Sequence, residues 1–272
     1  MTVDQPRSQA PLVVVLVEPA GPLNVGSIAR LCANFGVHEL RLVAPRCDHR
    51  GEEARRMAVH GGAVLDRAQL FPRLAGALAD CRRVVASSGR RQGEPLPLQD
   101  PAAALGWLQE GPAGSSGQDA TPPCALVFGR EDRGLSNDEL LQAGRLVCID
   151  TALDGDGQPG YGSLNLAQAA AILLHQWHQL RRQLPPDRGQ SLPPQLEPCE
   201  RGVLEAMLRD GEALLLDVGF LHPHTAAARM AKVRALLQRA QLSQEEVALL
   251  RGMVRQLRWA SNTHRASPGQ TP

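Results

Sequence analysis

VLVEPAGPLNVGSIARLCANFGVHELRLVAP, from Val15 to Pro45, reads as strand, glycine–proline loop, helix and second strand. The first apolar run begins at Leu12 and ends at Val17. A helical pattern spans Asn24–Phe35, with Asn24 as the expected N-cap, and the second apolar run is Leu40–Val43. Neither run alternates apolar with polar residues, so both faces of each strand are expected to be covered. Arg83–Ala86, Ala125–Phe128 and Leu146–Ile149 repeat the same signal. Further helical patterns cover Asp66–Ala79 and Ser163 to about Gln183. Strands alternating with helices predict an α/β domain with a largely parallel sheet.

The rest of the chain divides around that unit. The α/β pattern occupies residues 12–182, and GPAGSSGQDATPP at 111–123 reads as a flexible loop inside it. A proline-rich linker follows at 183–199, then a small all-helical domain at 200–262. In that domain Ser243 and Glu246 form a capping box opening the apolar series Val247, Leu250, Val254 and Leu257. The ends, 1–11 and 263–272, read as disordered.

Composition excludes several classes. No apolar run approaches the roughly 20 residues of a membrane span, and the polar N-terminus lacks a signal-peptide layout, so a cytoplasmic location is expected. Six scattered cysteines without a Cys-x-x-Cys pair argue against a zinc site or a disulfide framework, and no metal is expected. His175 and His178 lie one helical turn apart but have no evident third ligand. The net charge of +1 carries no signal for nucleic acid, but its distribution does. Between Arg229 and Arg265 stand eight basic residues, including Lys232, the one lysine of the chain, against Glu245 and Glu246.

Three strand-end segments carry the candidate chemistry. The first is the loop and helix start Asn24-Val-Gly-Ser-Ile-Ala-Arg30, with Gly26 allowing close backbone approach. The second is Gly129-Arg-Glu131-Asp-Arg-Gly134-Leu135, followed by a Ser136–Glu139 capping box. The third is Gly162-Ser163-Leu164-Asn165-Leu166, leading into an alanine-rich helix. Asn165 is out of place there unless it caps the helix or faces a site. A formal G-x-G-x-x-G at Gly155–Gly160 is rejected as a dinucleotide fingerprint, because it lies well past its strand and does not open the helix.

In this order the three segments resemble the SpoU branch of the SPOUT RNA methyltransferases, through Asn24, Gly26, Arg30 and Phe35-Gly36, then Phe128-Gly129-x-Glu131-x-x-Gly134-Leu135, then Ser163-Leu-Asn165-Leu. The C-terminal part, with Gly219-Phe-Leu221, Lys232-Val-Arg234 and Leu250-Arg-Gly-Met253, resembles the helical extension of the TrmJ subgroup. The resemblance implies a parallel-sheet domain with a C-terminal trefoil knot, followed by the all-α domain. It implies a homodimer that uses S-adenosylmethionine, releases S-adenosylhomocysteine, and methylates a ribose 2′-hydroxyl of tRNA. The expected target is a cytidine or uridine at anticodon-loop position 32. Ribosomal RNA as substrate, or a non-catalytic RNA-binding protein that keeps the fold, are the alternatives.

By the same resemblance the catalytic set is Arg30, Asn24, Glu131, Ser163 and Asn165, with Glu131 holding Arg30 from one side. The cofactor is expected on Ser87, Ser88, Gly89, Gly129, Ile149, Gly162, Ser163 and Leu164. RNA is expected on Arg30, Arg229, Lys232 and Arg234. Asn165 is expected to sit buried at its helix entrance, facing the site. A guanidinium is not deprotonated at ordinary cost, so Arg30 suits a phosphate clamp better than a general base.

Overall fold

The computed structural model describes residues 10–90, 93–110, 121–152, 164–183 and 197–266. Among them, seven strands form one wholly parallel sheet: β1 (Leu12–Val17), β2 (Glu39–Val43), β3 (Gln69–Phe71), β4 (Arg83–Ser87), β5 (Leu98–Gln99), β6 (Cys124–Phe128) and β7 (Arg145–Val147). Their order is β3-β2-β1-β6-β4-β7-β5. The continuous apolar runs split by side-chain alternation into two cores. Leu12, Val14 and Leu16 face the layer that holds α1 (Pro22–Asn34), α5 (Pro101–Leu108) and α7 (Leu166–Gln183). Val13, Val15 and Val17 face the layer of α4 (Leu74–Ala77) and α6 (Asn137–Leu140). Two shorter helices, α2 (Glu52–Ala58) and α3 (Gly62–Asp66), join β2 to β3.

Two expectations are corrected here. The helical pattern at Asp66–Ala79 is broken, since Asp66 ends α3, Gln69–Phe71 pairs in register with Arg41–Val43, and beyond that only Leu74–Ala77 is helical. Pro72 explains this, because it pushes Phe71 into extended backbone and offers no amide to a helix. Helix α1 starts before Asn24: Gly21 is its N-cap, Pro22 takes the first turn with its φ already set, and Asn24 is the third helical residue. The expected trefoil threading depends on the path through residues 153–163, which lie outside the described residues. So do the Gly155–Gly160 run, most of the 111–123 loop and of the 183–199 linker, and most of both termini.

The chain leaves β1 toward β2 and leaves β6 toward β7, on opposite sides. The adjacent ends of β1 and β6, paired at Leu16 and Phe128, therefore open a crevice of the kind where parallel α/β sheets bind ligands.

Beyond the sheet, α8 (Arg201–Asp217), α9 (Pro223–Ala240) and α10 (Gln244–Ala266) form a small core around Leu204, Leu208, Met230 and Val247. The Ser243–Glu246 capping box is formed at the start of α10. This helical unit is fastened to the sheet by buried polar contacts. Glu197 accepts from the Arg83 guanidinium at 3.1 and 3.2 Å, and both side chains are at most 5% exposed. Arg83 also donates to the Trp107 carbonyl and lies over the Trp107 ring. The Arg201 backbone donates to the Cys81 carbonyl, its guanidinium donates to Gln238, and Gln238 donates to the Leu141 carbonyl. Burial lowers the pKa of the Arg201 guanidinium to about 10, against weaker opposing pulls from neighbouring thiols and Glu205.

Breaking one side of a buried pair typically costs about 3–5 kcal/mol, and here the half-exposed Glu110, 3.5 Å from Arg83, offsets part of that. Glu197→Gln should therefore lower stability by a few kcal/mol in urea unfolding, whereas Arg83→Met with Glu197→Leu should recover most of the loss. Equal stability of Glu197→Gln and the wild type would show that the pair holds nothing.

Candidate active site

One side chain bridges the crevice to the start of α1. Glu131, carried on the loop after β6, reaches across to the loop after β1, where its carboxylate accepts from the backbone of Gly21 at 3.0 Å and of Ala20 at 3.1 Å. It also accepts from the Asn24 side-chain amide at 3.2 Å. These groups open α1, whose first amides have no intrahelical acceptor, so Glu131 acts as a cap supplied from another strand. Burial works to raise the Glu131 pKa, but the amides of Gly21, Ala20 and Glu131 itself, with Asn24, outweigh it and the value is lowered. The expected Glu131–Arg30 contact is not made. Arg30 is exposed, and among the described residues its guanidinium has no carboxylate partner.

Two glycines fix the helix that bears Arg30. A Cβ on Gly26 would fall 2.2 Å from the Ala54 carbonyl oxygen, and one on Gly61 would fall 2.7 Å from the backbone of Ala29 and Arg30. Helix α1 is therefore held at two successive turns by direct backbone approach of the 54–61 segment, and the close contact that Gly26 permits is with α2. The strand ends beside it are strained: Glu18 and Ala44 hold φ of +46° and +43°, where each non-glycine residue costs roughly 1–3 kcal/mol. Their amides are satisfied by Val43 and Phe71.

The loop that carries Glu131 is a closed turn. Arg130 and Gly134 exchange backbone hydrogen bonds, and Gly134 sits at φ +68°. A Cβ on Gly129 would fall 2.3 Å from the Gly134 carbonyl carbon, so only glycine lets the turn close. The Arg130 guanidinium lies between Glu18 and Glu139, bonding Glu139 at 2.8 and 2.9 Å. Glu139 also completes the expected capping box with Ser136.

Next to this turn lies a cavity of about 620 Å³, within the range of small-molecule sites. It is lined by the ends of β4 (Ser87–Arg90), β6 (Phe128–Leu135) and β7 (Val147, Ile149), and by Leu164, Leu166 and Ala169. Six of the eight expected cofactor positions line it: Ser87, Ser88, Gly89, Gly129, Ile149 and Leu164. Gly162 and Ser163 lie outside the described residues. Apolar walls at Phe128, Leu135, Ile149 and Leu166, with backbone groups at the strand ends, suit a nucleoside with an uncharged ring. Arg90, Arg130 and Arg133 also line the cavity, and sequence reasoning missed them. Arg90 is held by Glu94, Asn137 and the Leu135 carbonyl. The only advance signal was their position directly after a strand.

Asn165 answers differently from expectation. It is exposed, and its side-chain oxygen accepts from the Ala167 amide at 2.8 Å while Gln168 accepts from the Asn165 amide at 3.0 Å. It is thus the cap of α7, and its poor helix propensity is explained by that role. His175 and His178 pack their rings against Phe35, and among the described residues no three His, Cys, Asp or Glu converge on a common point. In the helical unit, Arg234 is paired with Glu205 and Arg251 with Asp210. Arg229 donates to the Phe220 carbonyl at 2.8 Å, and Lys232 is exposed. Among the described residues no helix is long and apolar enough to cross a membrane.

Residues 11–175 match the SpoU rRNA Methylase family, and residues 202–269 match the C-terminal domain of tRNA methyltransferase TrmJ. The tRNA (cytidine/uridine-2′-O-)-methyltransferase TrmJ of Klebsiella pneumoniae is 34% identical over 250 residues, covering 89% of this chain and 93% of that protein. The tRNA (cytidine/uridine/adenosine-2′-O-)-methyltransferase TrmJ of Pseudomonas aeruginosa is 32% identical over 247 residues, covering 89% and 91%. The crystal structure of TrmJ from Z. mobilis superposes with a TM-score of 0.76 at 30% identity, covering 92% of this chain and all of that one. A parallel sheet, a Glu131 tie beside a strand-end cavity, and a fastened helical extension are thus carried by a chain that belongs to the SpoU methylase family and, within it, to the TrmJ proteins.

Proposed function

We propose that this chain transfers a methyl group from S-adenosylmethionine to a ribose 2′-hydroxyl in the anticodon loop of tRNA, releasing S-adenosylhomocysteine. The observation that carries the reading is that one loop, Gly129–Leu135, both lines the cavity and, through Glu131, holds the start of the helix bearing Arg30. When bound, the cofactor supplies an activated methyl carbon on a sulfonium, so the displacement by a ribose oxygen calls for positioning and needs no metal. The cavity at Ser87–Gly89, Gly129, Ile149 and Leu164 is the proposed seat of that cofactor, and Gly162 and Ser163 belong to the same assignment.

Arg30, exposed and without a carboxylate partner among the described residues, is available to grip an RNA phosphate with its planar fork. That grip orients the neighbouring hydroxyl toward the cavity. Asn24 is oriented by Glu131, and the capping geometry of Asn165 sets the start of α7 beside Leu164. Ser163 completes the proposed catalytic set. The TrmJ resemblance supports a homodimer with its site near the subunit boundary, and a tRNA substrate agrees with a cytoplasmic location. Of the cations expected to meet RNA on the helical unit, Arg234 already has a carboxylate, which leaves Lys232 and Arg229 as the better placed.

Arg30→Ala should abolish methyl transfer to tRNA while calorimetric cofactor binding stays intact, and Arg30→Lys should not restore it. Near-normal turnover of Arg30→Ala, or a wild type that binds no cofactor, would refute the reading. Light scattering of the same preparation should report a dimer, and a fully active monomer would count against that part.

Each lost phosphate contact flattens the salt dependence of RNA binding by a slope of ~0.7–0.9. Lys232→Gln should show that change in filter binding across a salt series, and Arg234→Gln should not. Identical slopes for wild type and Lys232→Gln would remove Lys232 from the RNA surface.

A further inference from the structure

The two loops at the crevice exchange carboxylates. Glu131 leaves the β6 loop to hold Ala20, Gly21 and Asn24, while Glu18, at the end of β1, reaches back to Arg130 and, at 3.7 Å, to Arg133. Arg130 is only 10% exposed and is gripped on its other side by Glu139, whose own carboxylate is fixed by the Ser136 amide. Glu18 keeps a left-handed backbone conformation at φ +46° that a non-glycine side chain rarely adopts. Its hydrogen bond with Arg130 is the main reason its pKa lies below the ordinary carboxylate value, so the tie stays charged through the neutral range.

The turn between these ties is stiff. Gly129 packs on the backbone of Gly134, and Arg130 and Gly134 exchange backbone hydrogen bonds, which favours movement of the turn as one piece. Residues Arg130 to Leu135 are that wall. Movement there must carry Glu131 with it, and with Glu131 the first turn of α1.

We propose that Arg130, held between Glu18 and Glu139, is a positioning residue that makes the two crevice loops one unit, so that a filled cavity strengthens RNA binding at the Asn24–Arg30 face. This rests on the methyltransferase reading and adds to it a coupling between its two ligands. Linkage makes the coupling reciprocal: RNA must tighten the cavity's ligand by the same factor.

The test uses the full-length protein with S-adenosylhomocysteine, which fills the cavity without turnover, and unmethylated tRNA. The wild type should bind tRNA about five-fold or more tightly when saturated with S-adenosylhomocysteine, in the usual range of coupled sites. Calorimetry with and without tRNA should return the same factor. Glu18→Gln, which keeps the side-chain shape and lies outside the cavity wall, should keep its S-adenosylhomocysteine affinity in the absence of RNA while the coupling factor falls below that of the wild type, the Glu131 tie carrying the remainder. Arg130→Lys should give an intermediate factor, since an ammonium cannot serve both carboxylates as the guanidinium does. A wild-type factor of one, or a Glu18→Gln factor equal to that of the wild type, would overturn the proposal. If the wild type bound neither ligand, the methyltransferase reading itself would fall, an outcome distinct from two intact affinities without coupling.

Discussion

The carboxylate of Glu131 is the constraint on which the rest of the site depends. It lies on the loop after β6, yet its acceptors are filled by amides that open the helix after β1. A parallel sheet brings β1 and β6 side by side but sends their following segments in opposite directions. Without a bond across the crevice the two loops would diverge. The unsatisfied amides at the start of α1 attract a carboxylate, and the glycine-closed turn of 129–134 presents one at the right height. Glu18 reaches back in the other direction to Arg130, whose single cation lies between the Glu18 and Glu139 carboxylates.

The same logic separates what was legible in the sequence from what was not. Five of the seven strands were readable because a strand buried on both faces needs an unbroken apolar run, and Leu12–Val17 is entirely buried. Strands β3 and β5 were missed because no residue in either is buried, whereas β7, as short as β3, buries Leu146 and Val147, and β3 hid within a run whose helical pattern only Pro72 contradicts. Glu131, Gly129 and Gly134 stood out as a glycine-bracketed charged turn after a strand. Their partners did not, because the bond from Glu131 spans more than a hundred residues of chain and Pro22 moved the start of α1 ahead of Asn24. Asn165 shows the reverse: its place before an apolar run suggested burial, but it is exposed, and the Gln168 three positions later marks a capping pair.

The helical extension illustrates how composition can mislead about both charge and independence. Its basic excess is real, but Arg234 and Arg251 are spent on Glu205 and Asp210 of α8, acidic residues upstream of the basic stretch. Its proline-rich approach suggested a free boundary, yet Glu197, at the end of that stretch, is buried against Arg83 of the sheet. The unit that would present Lys232 to RNA is therefore held in a fixed relation to the sheet that carries the crevice.

The central claim is that an ionised Glu131 holds the start of α1, and NMR can watch it directly. The folded-state pKa of Glu131 is lowered, so its hold is present above the ordinary glutamate value of 4.5 and is lost as pH falls through the lower folded value. The amide resonances of Ala20 and Gly21 should therefore titrate together, with a midpoint below 4.5, and this shared transition should vanish in Glu131→Gln. Amides of Ala20 and Gly21 that do not titrate, or whose titration survives in Glu131→Gln, would contradict the account.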